Sequence, residues 1–190
     1  MYYRLQHDRA EMSQYWEATN NSHLRMSLGL LIDVAEDEVK VPFQFSVSYS
    51  PGLDGNPKVQ PLYEYVSNVN VMSKRLVAAL QAAGVDNLQV FPAVVTDTVT
   101  GLVNGGFVAV NVVGNVAVVN LARSSGEPIG KAYYFDKIAI DATKAQGLLL
   151  FRIKPSPIEI IIHESVAKVV EAGAFRGVTL ESASDNPPGP

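Results

Sequence analysis

The chain has 190 residues, of which 47% are hydrophobic and 18% charged, with no cysteine and a formal net charge of -4. This is ample apolar material for one packed domain, while the missing cysteines exclude a disulfide framework, a thiolate nucleophile and a Cys-ligated zinc. The negative charge is unevenly placed: residues 1–70 hold 5 Lys and Arg against 9 Asp and Glu, whereas residues 71–190 hold 10 of each; an acidic balance of this kind repels phosphate backbones and disfavours nucleic acid as a partner.

In chain order, Met1 to Gln6 and Tyr15 to Ala18 read as short strands, and the polar run Asn20 to Ser27 reads as loop. An apolar stretch, Leu28 to Val34, runs into the acidic turn Ala35-Glu36-Asp37-Glu38. Val41 to Tyr49 alternates apolar and polar residues with the period of a half-buried strand and is followed by a surface loop, Ser50 to Pro57, rich in Gly, Pro, Asn and Asp. Ser73 as N-cap, Leu76, Leu80 and Ala83 on one face, and Gly84 as the stop predict a helix. Leu88 to Thr96 reads as a strand before a turn at Thr100-Gly101, and Phe107 to Val113 and Val116 to Leu121 read as a hairpin folded at Gly114-Asn115. After a loop from Arg123 to Gly130 come strands at Ala132 to Ile140, Leu148 to Ile153 and Ile158 to Ile162, the last two divided by Pro155-Ser156-Pro157. A second helix is predicted over Glu164 to Ala172, with Val166, Val169 and Val170 on one face, capping by Ser165 or a neighbour, and Gly173 at its end. A last strand, Val178 to Glu181, precedes a tail with the composition of disorder. These elements imply an α+β fold, a mostly antiparallel sheet with two short helices packed on it, forming a single domain over residues 1–182 and a tail over residues 183–190.

No membrane span is expected. The most apolar long stretch, Gly106 to Ala122, is interrupted by Asn111, Gly114, Asn115 and Asn120, whose amides and glycines suit buried strands better than a hydrocarbon core. The N-terminus lacks the apolar core of a secretory signal, and a reducing cytoplasm fits the absence of cysteine.

Motifs with chemistry are sparse. His163-Glu164 looks like the opening of a zinc-protease helix, but the second histidine is absent, Ala167 standing in its place. His7 and His23 have no ligand partner at metal spacing. Gly101, Gly105 and Gly106 lack the Gly-Lys-Ser/Thr ending of a phosphate loop. Asp33, Glu36, Asp37 and Glu38 lack the alternating ligands and internal Gly of a calcium loop. No catalytic, metal-binding or cofactor site is therefore expected. The acidic cluster can instead present carboxylates to a basic protein, and Trp16, with tyrosines around it, is of the type that anchors interfaces. Trp16, Asp33, Glu36, Asp37 and Glu38 are thus the candidate partner-binding residues. Two competing readings are an enzyme with a diffuse site built from Arg152, His163 and Glu164, and a self-associating module pairing through the strands Phe107 to Leu121, which leaves monomer and homodimer both open.

The segments MSKRLVAALQAAGVDNLQVFPAVV, FVAVNVVGNVAVVNLARSS and FDKIAIDATKAQGLLLFRIKPSPIEIIIHESVAKVVEAGAFRGVTLES follow one another over residues 72–182. In this order they resemble a family of immunity proteins from bacterial polymorphic-toxin loci, the eleventh numbered class. Residues 1–70, the acidic part, fit that family only loosely. The resemblance implies an α+β protein that binds and neutralises a cognate toxin or effector, and it carries over no catalytic residue.

Overall fold

The computed structural model describes residues 1–8, 13–20 and 24–183. His23 and the tail from residue 184 onward lie outside the described residues.

Fourteen strands and four helices occur among the described residues. In the first half these are β1 (Tyr2–His7), β2 (Gln14–Ala18), α1 (Leu24–Ser27), β3 (Phe43–Tyr49), β4 (Tyr65–Val66), β5 (Val71–Ser73), α2 (Lys74–Ala82) and β6 (Leu88–Asp97). There follow β7 (Val103–Asn104), β8 (Phe107–Val112), β9 (Asn115–Val116), β10 (Ser125–Ile129), β11 (Ala132–Lys137), α3 (Ala142–Ala145), β12 (Leu150–Ile153), β13 (Ile160–His163), α4 (Glu164–Gly173) and β14 (Val178–Ser182). The α+β class holds. The sheets are mixed, however, because β3 pairs with β6 and β9 with β12 in parallel, while every other pairing is antiparallel.

One sheet runs β14-β1-β13-β12-β9, a second β2-β3-β6-β8-β5-β4 with β7 on the side of β6, and β10 and β11 form a separate ribbon. β6 is long enough to serve two neighbourhoods. Its first half, Leu88 to Pro92, pairs with β8, and its second half, from Ala93 onward, pairs with β3. Pro92, which has no N–H to donate to a ladder, marks the changeover.

The local signals explain the helices. Ser73 accepts the Leu76 N–H of α2 at 3.0 Å, and Gly84 leaves the helix with φ +92°. α4 is capped by His163, whose Nδ1 accepts the Ser165 N–H at 3.2 Å, so the histidine does the work expected of Ser165. α4 turns Val166, Ala167 and Val170 inward, whereas Val169 is only half-buried. Both helices cover the same apolar layer, in which Leu76, Leu80, Val166 and Val170 meet Leu5, Val110, Leu150, Ile160 and Ile162. The opposite face of β13 and β12 is buried too, Ile161, Phe151 and Ile153 packing with Tyr2, Val118, Phe135 and Ile138. Burial on both faces is why these strands read as continuous apolar runs without alternation. A third cluster, around Phe43, Phe45, Val47, Phe91 and Phe107, fills the second sheet's inner face.

Several expectations are corrected. Gly114-Asn115 is not a hairpin turn: β8 lies between β6 and β5, while β9 leaves to run parallel to β12, so the two apolar segments belong to different sheets. The expected strand over Val116 to Leu121 is reduced to β9 and a single bridge, Val119 to Ile140. The loop Arg123 to Gly130 is instead largely β10, an edge strand whose Pro128 is tolerated because only one side is paired. Helical turns α1 and α3 were not signalled, being too short to show periodicity; α3 is held by the Asp141 cap, which accepts from the Thr143 N–H at 3.0 Å.

Candidate functional site

The segment between α1 and β3 carries little regular structure, yet its backbone is tied down by side chains from the second sheet. Gln89 of β6 and Asn111 of β8 sit directly opposite one another. The Gln89 amide accepts from the Ile32 N–H and donates to the Ile32 carbonyl, both at 2.9 Å. Asn111 donates to the Leu30 carbonyl at 2.7 Å and to Gln89 Oε1 at 2.8 Å. The Gly114 N–H adds a bond to the Gly29 carbonyl at 3.0 Å. This accounts for two amides in otherwise apolar strands: they substitute for a missing strand partner, satisfying backbone groups that would otherwise be costly. Ile32 is buried as a plug, while Leu28, Leu30, Leu31 and Val34 face outward, Leu31 being 65% exposed.

The acidic turn that follows divides its carboxylates between two tasks. Asp33 Oδ1 accepts the N–H groups of Ala35 and Glu36 at 2.9 and 3.0 Å, closing the turn from within. Asp37 accepts the Asp33 N–H at 2.9 Å and pairs with Arg25 at 3.0 Å, and Arg25 also donates to the Leu31 carbonyl. Asp33 and Asp37 are therefore consumed by loop structure. Glu36 and Glu38 remain exposed and form no ion pair among the described residues. The candidate list is thus separated by the fold: Glu36 and Glu38 are presented, and Asp33 and Asp37 hold the frame that presents them.

Trp16 is placed differently from its expected role as a surface anchor. β2 alternates, with Tyr15 and Glu17 outward and Trp16 inward. At 6% exposure the indole packs edge-on to Phe107, at 5.5 Å between ring centres, and donates to Gln14 Oε1 at 3.1 Å. Its bulk stabilises the second core instead of the exterior.

A second feature, not foreseen from sequence, is a polar cavity of about 310 Å³ lined by residues of β1, β4, β12 and the segments beside them, among them Arg4, His7, Tyr65, Asn70, Arg152 and Glu159. Arg4 forks onto Glu159, donating from Nε at 2.7 Å and from Nη2 at 2.6 Å, and reaches Glu181 at 3.3 Å. Arg152 is only 1% exposed and, among the described residues, bonds to neutral acceptors alone: the Val112 and Pro157 carbonyls at 3.2 and 2.8 Å, and Asn70 Oδ1 at 3.0 Å. Asn70 is positioned for this by a left-handed backbone, φ +55°, and donates onward to Ser27 at 3.1 Å. Burial pulls the Arg152 guanidinium below its ordinary range. Burial also holds the Tyr65 hydroxyl above the phenol range, with the Arg152 charge acting in the opposite direction.

The residues of the diffuse enzyme reading are not brought into one network. Arg152 lies opposite Ile160 on the sheet and bonds within the cavity. His163 caps α4, and Glu164 pairs with Lys168 at 2.9 Å and with the N-terminal ammonium at 3.5 Å. Among the described residues no group of three or more His, Asp or Glu side chains could hold a metal ion, and no helix is long and apolar enough to cross a membrane. No protein-family model matches the chain, and no curated protein matches it.

Proposed function

We propose that this protein acts by binding another protein, and that it is an immunity protein which neutralises a cognate bacterial toxin or effector in the cytoplasm. The observation that carries the binding reading is the pinned segment of residues 28–38. Side-chain amides fix the backbone at Leu30 and Ile32, and Leu28, Leu30, Leu31 and Val34 lie exposed beside Glu36 and Glu38, which form no ion pair among the described residues.

Apolar residues concentrated in one rigid exposed segment favour association, since their surface is desolvated without the entropy of ordering the loop on contact. The adjacent carboxylates suit a basic partner, setting orientation and encounter rate more than affinity. The toxin-directed part of the reading rests on the resemblance of the segments over residues 72–182 alone, since no family model matches the chain. Blocking a toxin needs a rigid surface of this type and no chemistry from the inhibitor.

The test is co-expression with a toxic protein encoded by a neighbouring gene, followed by gel filtration of the mixture. Rescue of growth and a co-eluting complex are expected, weakened about tenfold or more in affinity by the pair Leu30→Ser and Leu31→Ser. Continued killing with no complex would reject the proposal.

A further inference from the structure

The polar cavity holds a charge that no carboxylate among the described residues compensates. Its formally charged lining residues are Arg4, Arg152 and Glu159. Arg4 is matched by its two-pronged bond to Glu159 and its contact with Glu181, whereas Arg152 pairs with no carboxylate among the described residues. A guanidinium has five N–H donors, and the three bonds of Arg152 use one each on Nε, Nη1 and Nη2. One donor on each terminal nitrogen is left without a protein acceptor. Burying a cation under these conditions is costly unless a counter-charge arrives.

The surroundings are those of a binding site for a small anion. Tyr65 lines the same cavity, with a hydroxyl that makes no hydrogen bond among the described residues, and Ser27, Ser67 and Asn68 also line it. At about 310 Å³ the space lies at the small end of ligand pockets.

We propose that this cavity binds a carboxylate group, which takes the two spare donors of Arg152 and the Tyr65 hydroxyl. A carboxylate is favoured over phosphate for two reasons. Arg152 is a single cation that a monoanion neutralises, whereas a phosphate dianion would add further negative charge near Glu159 and Glu181, the two carboxylates on Arg4. The planar guanidinium also matches the two oxygens of a carboxylate. The carboxylate can come from a free small acid or from an acidic side chain of a bound protein; the proposal does not rest on the toxin-binding reading above.

The experiment titrates the purified full chain with propionate, with N-acetyl-glutamic acid α-amide and with inorganic phosphate. Thermal unfolding is followed at constant ionic strength, with sodium chloride as the baseline. A saturable rise in Tm with either carboxylate is expected, since a ligand that binds only the folded state stabilises it by mass action. Tighter binding of propionate assigns the site to free acids, and tighter binding of the amide to a protein-borne glutamate. Arg152→Met should abolish the response, and Tyr65→Phe, which preserves the ring's packing, should weaken it about tenfold. Absence of a saturable response to both carboxylates, an equal response in both variants, or a response to phosphate alone would overturn the assignment.

Discussion

Arg4 and Glu159 meet at 2.6 Å with side chains 9% and 11% exposed, the most buried ion pair among the described residues. Arg4 lies on β1, between β13 and β14 in its sheet, and Glu159 immediately precedes β13. A buried pair of this kind contributes little compared with apolar residues, but losing one partner strands the other. Glu159→Ala is expected to lower stability by about 3 kcal/mol, moderated by the remaining contact of Arg4 with Glu181. Arg4→Met combined with Glu159→Leu should recover most of the loss. Urea denaturation of the two variants checks both values, and an unchanged midpoint for Glu159→Ala would contradict the pairing.

Gly29 couples the exposed loop to the cavity. Its φ is +67°, and a Cβ there would stand 2.9 Å from Arg152 Cδ and from the Gly114 carbonyl oxygen. Gly29→Ala therefore meets both backbone strain and a fixed neighbour, and about 2 kcal/mol of destabilisation is expected. Gly55, at φ +79° with no atom near its would-be Cβ, is the control. Gly55→Ala should cost about 1 kcal/mol, from backbone strain alone.

The Tyr49 hydroxyl donates to Asp97 at 2.9 Å, closing the end of β3 onto β6. Burial first, and then the bond and charge of Asp97, push this phenol from 10.0 up to about 12. The folded state thus holds the proton more tightly than the unfolded state. Its contribution to stability is complete below pH 10 and is lost as pH rises from 10 through about 12. Tyr49→Phe should flatten that alkaline limb relative to the parent. Chemical denaturation across the interval, with phenolate absorbance as a second signal, is the measurement; parallel curves for parent and variant would refute the linkage.

Asp33 closes the acidic turn by accepting two backbone N–H groups. Asp33→Ala should cost about 1 kcal/mol locally, as loss of a capping side chain does, while leaving the global unfolding midpoint nearly unchanged. Hydrogen exchange at Ala35 and Glu36 is expected to quicken, and affinity for the partner to fall as the turn that presents Glu36 and Glu38 loosens. Protection of those amides equal to the parent's would show that the turn closes without it.

Elements whose signals are local were legible in the residues. The Ser73 cap and the Leu76 and Leu80 spacing define α2, the alternation from Phe43 to Tyr49 defines β3 with four inward aromatic or apolar side chains, and the acidic turn was visible as a turn. These depend on contacts within a few residues, so their causes lie in the sequence itself. Partner choice between strands does not. The segments on either side of Gly114-Asn115 have the look of a hairpin, and only the competition among sheets sends β9 to β12 and leaves β8 beside β5 and β6. The same competition decided the sites. Trp16 was drawn inward because β2 had to present one face to Phe107, and Arg152 came to share a cavity with Tyr65 and Glu159 because strands distant in the chain converge there. Composition and spacing determined that this chain would form capped helices, apolar strands and an acidic surface turn. Which strands pair, which carboxylates are left unpaired and which cation is buried without a counter-charge were decided by the tertiary structure, because those outcomes depend on burial and on neighbours tens of residues away.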